Sequence, residues 1–119
     1  MKKLIILFAI VIAVFITSDV FAQLRETTDR LTADTLIYTK RYGQDLGICG
    51  VYAEADGTNA ATCVVHDNTS ATGKTFPSAY VPAGEYRQGY MLPHCLNAST
   101  GLYLNITGTN AACWIIYTR

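Results

Sequence analysis

The sequence is poor in charged residues, which make up only 15% of its 119 residues. Nine basic residues balance nine acidic ones, and no basic stripe runs along the chain. A protein that neutralises nucleic-acid phosphates needs such a stripe, so we expect no nucleic-acid partner. The polar residues are instead mostly threonine, asparagine, serine and tyrosine.

Motifs that carry catalysis are also missing. The sequence has no GxSxG, no HExxH and no phosphate-binding loop. Its two histidines stand in His66-Asp67 and His94-Cys95. Neighbouring residues of a strand point to opposite faces, so neither pair forms a catalytic dyad by itself. We predict that the chain is not an enzyme and uses no cofactor.

Metal ligands lack the spacing that metal sites require. No CxxC pair is present, and only His66 and His94 could add nitrogen ligands to a zinc site. Asp56, Asp67 and Asn68 stand in predicted loops without the oxygen pattern of a calcium loop. Asx-turns account for these three residues, and we predict no metal site.

The N-terminus carries a targeting signal. Lys2 and Lys3 precede the uncharged apolar run 4–16, and a short polar stretch leads to Val20-Phe21-Ala22. This order is typical of a secretory signal peptide, and the 13 apolar residues fall short of the roughly 20 in a spanning helix. We predict a signal helix over 1–22 that is cleaved after Ala22, with membrane contact only before cleavage; the alternative is an uncleaved anchor.

The remaining chain has the size of one small domain. Threonine and tyrosine favour strands, and glycine, asparagine and aspartate recur about every eight to twelve residues, as in sandwiches of short strands. No window after Gln23 has a helical period. We predict an all-β fold: a flexible arm over 23–33, then a single antiparallel β-sandwich of seven or eight strands, jelly-roll-like, over 34–119.

Seven strands can be placed by alternation of apolar and polar residues and by the turn residues between them. Pro77 confines one of them to an edge or a bulge. The predicted strands are 35–42, 46–53, 61–66, 75–81, 85–92, 101–106 and 112–118.

Export would make the four cysteines candidates for disulfide bonds, and four cysteines allow three pairings. If 46–66 is a hairpin that turns at Asp56-Gly57, Cys49 lies opposite Cys63 at a suitable separation. We predict Cys49–Cys63, which leaves Cys95–Cys113, each bond stabilising by about 3 kcal/mol in the chain-entropy model. The alternatives are a zinc site and free buried cysteines.

The chain contains an internal repeat. Residues 50–61 match 101–112 at an offset of 51, and both copies contain the sequence GTNAA. Each copy predicts a β-hairpin, used either as one of two equivalent binding tips or only as a favourable turn. The offset falls to 50 at Cys63 and Cys113, which would place the two cysteines on opposite faces unless a bulge absorbs the extra residue.

Tyrosines are the main functional indication. Tyr86 and Tyr90 are four apart on one predicted strand and would share a face, and Tyr52 and Tyr103 occupy matching repeat positions. Aromatic rows on a sheet can stack on sugars or form a subunit interface. We predict these four tyrosines and Trp114 as interaction residues; the alternative is ordinary, half-buried sheet tyrosine.

The second half of the sequence resembles small β-sandwich proteins encoded by tailed phages and by viral fragments from environmental samples. The resemblance is carried by the order of four motifs at 67–73 (DNTSATG), 82–86 (PAGEY), 99–103 (STGLY) and 106–109 (ITGT). It implies a non-enzymatic, virion-associated or decoration-type protein. The leader and the four cysteines depart from the pattern and point to an exported, surface-displayed role, since capsid proteins that assemble in the cytosol need neither.

These observations predict an exported structural or interaction protein, periplasmic or extracellular, that self-assembles or decorates a viral particle or surface filament. Its partners would be further copies of the chain or another protein, engaged through sheet edges, through tyrosine-bearing faces or by exchange of the arm. The alternative is a secreted module that binds a carbohydrate or a host surface.

Overall fold

The computed structural model describes residues 25–119. The predicted signal helix and its cleavage site lie outside this range. Within it the chain forms eight strands and no helix. The strands are β1 (Arg25–Thr27), β2 (Thr35–Thr39), β3 (Gly47–Glu54), β4 (Ala61–His66), β5 (Ala79–Val81), β6 (Arg87–Asn97), β7 (Gly101–Thr107) and β8 (Ala112–Thr118).

The strands form two antiparallel sheets of four, which confirms the predicted all-β sandwich. Sheet A has the order β1-β8-β3-β6 and sheet B the order β2-β7-β4-β5. Strand β4 shows why the pattern could be recognised, because Ala61, Cys63 and Val65 are buried while the residues between them are half-buried. This period of two turns one side of each strand towards the other sheet.

The core fills the space between the two sheets. Its largest fully buried side chains are aliphatic, which gives a dry interior. They are Leu46, Ile48, Val51, Val65, Val81, Leu102, Leu104 and Ile115.

The two predicted hairpins are wrong, because each repeat copy crosses between the sheets. Strand β3 lies in sheet A and β4 in sheet B, and β7 and β8 are divided in the same way. Each GTNAA turn is therefore an arch. Alternation of apolar residues predicts which side of a strand is buried, but a hairpin and an arch satisfy it equally well.

The predicted cysteine pairing fails for the same reason. Cys49 bonds to Cys95, and Cys63 bonds to Cys113. The first bond lies within sheet A between β3 and β6, and the second joins β4 to β8 across the core. Cys63 and Cys113 both lie in the core, since each is fully buried. The first copy has one more residue, Thr62, between its alanine and its cysteine than the second copy has. The start of β8 accommodates this difference, because Ala112 and Cys113 are both buried although they are consecutive.

The segment predicted as a flexible arm is an integral part of sheet A from Arg25 onward. Strand β1 pairs with β8, and the Thr28 N–H continues the contact by donating to Ile115 O at 3.0 Å. Leu31 exchanges two backbone hydrogen bonds with Cys113 and packs on the core. The arm was not recognised as a strand because its three paired residues carry no apolar alternation.

Strand β6 extends further than predicted and β5 less far. Strand β5 begins only after Pro77, which cannot donate to a ladder. Strand β6 continues through Pro93, because the pairing slips: Ile48 is opposite Leu96, whereas Gly50 is opposite Met91. Residues 92–95 therefore form a bulge in β6. Cys49 is the one residue of β3 opposite this bulge, and it is bonded to Cys95 within the bulge.

The topology has an internal two-fold relation. Each of the first four strands has a counterpart four strands later: β1 corresponds to β5, β2 to β6, β3 to β7 and β4 to β8. When every strand of sheet A is replaced by its counterpart, the result is the strand order of sheet B, read from its other edge. Cys63 and Cys113, which match in the sequence repeat, are joined by a disulfide bond. The repeat in the sequence is therefore a repeat of half the fold.

Candidate functional site

The outer side of sheet A brings two of the predicted interaction residues together. Tyr52 on β3 is directly opposite Trp114 on β8 and, on its other side, Gly89 on β6. Val51 and Ala53 point into the core, so Tyr52 points outward. We call this surface the A face; its residues are Gly50, Tyr52, Glu54, Arg87, Gly89, Met91, Trp114 and Ile116.

Two glycines shape the A face. A β-carbon at Gly89 would collide with the Tyr52 ring, so the ring lies over that residue. A β-carbon at Gly50 would lie 3.6 Å from Ile116 Cδ1 and 2.8 Å from Tyr90 O. Strand glycines often mark such close approaches, and here one of them makes room for an aromatic ring on the sheet surface.

A row of charged residues crosses one end of the A face. Arg30 donates from Nη2 to Glu54 Oε1 at 2.7 Å, and Arg87 donates from Nη2 to Glu54 Oε2 at 2.9 Å. These hydrogen bonds, from Arg87 first and then Arg30, lower the pKa of Glu54. The Arg87 guanidinium also stacks 4.7 Å from the centre of the Trp114 ring, a cation–π contact.

The central part of the A face is apolar and partly open to solvent. Met91 is 51% exposed, while Tyr52, Trp114 and Ile116 are half-buried. Tyrosine, tryptophan, methionine and arginine are the residues enriched in protein–protein interfaces. The A face has this composition across three neighbouring strands, β8, β3 and β6.

Tyr86 and Tyr90 do not share a face, contrary to the prediction. Strand β6 begins at Arg87, so Tyr86 stands before it, 70% exposed, with its ring against Gly57. Tyr90 packs against the core and donates a hydrogen bond to Pro77 O. Burial raises the pKa of Tyr90, and its role is packing.

Tyr103 lies on the opposite side of the molecule from Tyr52. It is paired with Leu36 on β2 and His66 on β4, on the outer side of sheet B. Its neighbours contain neither a tryptophan nor a glycine, and the His66 Nδ1 atom is buried without a hydrogen-bond partner. The matching repeat positions therefore give two unlike surfaces rather than two equivalent ones.

Asp67 does not form the predicted Asx-turn, because its carboxylate binds a distant loop instead. This carboxylate is only 8% exposed and accepts hydrogen bonds from Ser99 N, Ser99 Oγ and Thr100 N, each at 2.8 Å. Burial acts to raise its pKa, but the hydrogen bonds from Thr100 and Ser99 outweigh burial and lower it. Asp67 thus holds the β6–β7 connection and makes no bond to His66.

A second carboxylate joins the two arches. Asp56 accepts from the backbone of Asn59 at 2.7 Å and of Thr58 at 2.9 Å, which confirms the predicted Asx-turn. It also accepts from the Asn59 side chain at 3.0 Å and the Asn110 side chain at 3.4 Å. These bonds, led by that of the Asn59 backbone, hold the pKa of Asp56 well below its usual range.

A polar groove of about 340 Å³ opens beside the second arch. It is lined by Arg30, Thr32, Gly108, Asn110 and Ala111. Sequence reasoning missed it because Arg30 and Thr32 belong to the segment predicted as a loose arm. Leu31, which lies between them, pairs with Cys113 on β8, and this pairing brings Arg30 and Thr32 next to the arch.

Two further classes of site are missing from residues 25–119. No group of three or more His, Cys, Asp or Glu side chains there is arranged to hold a metal ion. No helix in this part of the chain is long and apolar enough to cross a membrane.

Comparison with protein-family models, with curated proteins and with solved structures finds no match to this chain. The resemblance to phage-encoded β-sandwich proteins therefore stays a prediction.

Proposed function

We propose that this chain is an exported, non-enzymatic structural protein that assembles with copies of itself through the A face. The observation that carries the proposal is the A face itself, where Tyr52, Trp114, Met91 and Arg87 surround two glycines. A surface of this composition can bury aromatic and methionine side chains at little entropic cost, because the Tyr52 ring lies over Gly89 and the Trp114 ring stacks on Arg87.

The disulfide bonds support export. All four cysteines are paired within the chain, and such bonds persist in oxidising compartments such as the periplasm or the extracellular space. The apolar leader in the sequence agrees with this location.

The strand order supports a jelly-roll fold and, by analogy, a particle-associated role. Two four-stranded sheets of order β1-β8-β3-β6 and β2-β7-β4-β5 correspond to the eight-stranded double sheet of jelly rolls, which viral capsid proteins and lectins use. A fold hosts many functions, so the proposal of a virion or surface-filament component also draws on the sequence resemblance.

The sheet edges argue for assembly through faces rather than edges. Strands β1 and β5 have only three residues each, and both β2 and β6 are interrupted by a bulge. Short and bulged edge strands are the usual protection against edge-to-edge pairing. Strand β1, in the predicted arm, pairs with β8 of the same chain. This pairing removes the support for exchange of the arm between copies, and the A face is then the surface that we expect to mediate assembly.

Sedimentation velocity over a range of protein concentrations tests the proposal. We expect the wild type to associate and Met91→Lys to shift it towards monomer, because a lysine would bury its charge in the contact. Tyr80→Ser is the matched control, since Tyr80 is 54% exposed on sheet B and its replacement should leave association unchanged. Wild-type protein that stays monomeric at the highest concentration, with both disulfides intact, would overturn the assembly role.

A further inference from the structure

The groove beside the second arch has the properties of a built polar site. Arg30 is fixed by two hydrogen bonds to Glu54 Oε1, at 3.0 and 2.7 Å. The Asn110 side chain is oriented by a hydrogen bond that its Nδ2 donates to Asp56 Oδ2 at 3.4 Å. Both polar side chains are therefore held from behind by a carboxylate before any ligand arrives, which lowers the ordering cost of binding.

The groups that line the groove can both donate and accept hydrogen bonds. Asn110 keeps its amide oxygen and Thr32 has its hydroxyl, and Arg30 keeps the donors of Nη1, since its bonds to Glu54 use Nε and Nη2. A ligand rich in hydroxyl groups matches this mixture. An apolar ligand does not, because Ala111 is the one apolar side chain of the lining.

The charges around the groove cancel. Arg30 and Arg87 share Glu54, and Asp56 lies behind Asn110, so the charges of these four side chains sum to zero. This balance favours a neutral ligand over an anion or a cation. The volume of about 340 Å³ lies at the lower end of the roughly 300–1,000 Å³ of small-molecule sites.

We propose that this groove is a binding site for a neutral sugar. Asn110 and Thr32 exchange hydrogen bonds with the sugar hydroxyls, and Arg30 donates to them. This site is separate from the predicted aromatic residues, and it does not rest on assembly through the A face.

The test is a protein-detected NMR titration with glucose, galactose and N-acetylglucosamine, and with sodium acetate as a charged comparison. We expect at least one sugar to shift the backbone amides of 30–32 and 108–111 with a millimolar Kd, and acetate to shift them less. Asn110→Gly should weaken binding about tenfold. Its left-handed backbone, at φ 52°, suits glycine, so this substitution removes the amide and preserves the turn.

An exposed asparagine away from the groove supplies the control. Asn97 ends β6 and does not line the groove, so Asn97→Ser should bind the sugar like the wild type. Thr32→Val provides a second variant at an exposed position, where loss of the hydroxyl should also weaken binding. The proposal is overturned if no sugar shifts these amides, if acetate binds more tightly, or if the shifts map to Tyr52 and Trp114 instead.

Discussion

Asp67 is the residue on which most of the β6–β7 connection depends. Its carboxylate meets three consecutive backbone N–H groups, of Ser99, Thr100 and Gly101, the last at 3.4 Å. A buried donor that loses its acceptor has no water to replace it. The dipeptide His66-Asp67 is a candidate for chemistry in the sequence, but in the structure the Asp67 carboxylate is occupied by this loop.

Replacing Asp67 by asparagine should destabilise the fold. The amide NH₂ would face backbone N–H donors, and at least one buried donor would lose its partner, at a cost of about 3 kcal/mol. Urea denaturation followed by circular dichroism measures this change in the free energy of unfolding. Asp29→Asn is the control, because Asp29 is exposed and its substitution should change stability little; equal stability of the two variants would contradict the role of Asp67.

The pH dependence of stability should reflect the same carboxylate. The folded-state pKa of Asp67 lies below its ordinary value of 3.8, so its stabilisation is present above that value and is lost as the pH falls through the lower, folded-state pKa. Asp67→Asn should therefore lose less stability than the wild type on acidification below about pH 4. Some acid sensitivity will remain, because Asp56 and Glu54 also have lowered pKa values. Parallel pH profiles for the two proteins would argue against this account.

At the scale of elements, the two disulfides differ in access to solvent. Cys63 and Cys113 are fully buried between the sheets, whereas Cys95 is half-exposed in the β6 bulge. Arg25 anchors the same bulge from the other edge of sheet A by donating to Pro93 O at 3.2 Å. Thiol–disulfide exchange requires the attacking thiolate to reach a sulfur atom.

A mild thiol reductant should therefore open Cys49–Cys95 first. Alkylation during partial reduction, followed by peptide mass spectrometry, should find label on Cys49 and Cys95 while Cys63 and Cys113 remain unlabelled. Cys63 and Cys113 serve as the internal control. Simultaneous labelling of all four cysteines would show that reduction proceeds by global unfolding instead.

The elements were predictable to different degrees, and the differences have physical causes. Strands β4 and β8 have the predicted bounds. The buried face of β4 follows a strict period of two, whereas in β8 the period is interrupted at Ala112-Cys113. The partner of each strand was not predictable, since an arch and a hairpin leave the same pattern in the sequence. Both disulfide pairings were wrong as a consequence, although the presence of two disulfides was right.

The candidate site was predictable only in part. Tyr52 and Trp114 meet on the A face, but Tyr86, Tyr90 and Tyr103 lie elsewhere. The groove was missed altogether, because it depends on β8 holding the segment that contains Arg30. Contacts between distant parts of the chain create both surfaces, and a single sequence carries no direct signal for them.

At the scale of the whole molecule, the two equivalent halves of the fold follow one another along the chain. Each half runs through four consecutive strands, β1 to β4 or β5 to β8, and only a connection from β8 to β1 would be needed to close the chain into a ring. The ends of these two strands already lie side by side, since Arg25 is paired with Thr118. The corresponding connection in the other half is the loop between β4 and β5.

This two-fold relation has a consequence for the ancestry of the chain. A peptide of half this length could have formed the same sandwich as a homodimer, with one copy of the cysteine now at 63 and 113 bridging the two subunits across their symmetry axis. Gene duplication and fusion would turn that intermolecular bond into the present Cys63–Cys113 bond, with the loop between β4 and β5 as the junction of the two copies. Strand β1 is, on this account, the counterpart of β5 and the first strand of the repeated unit.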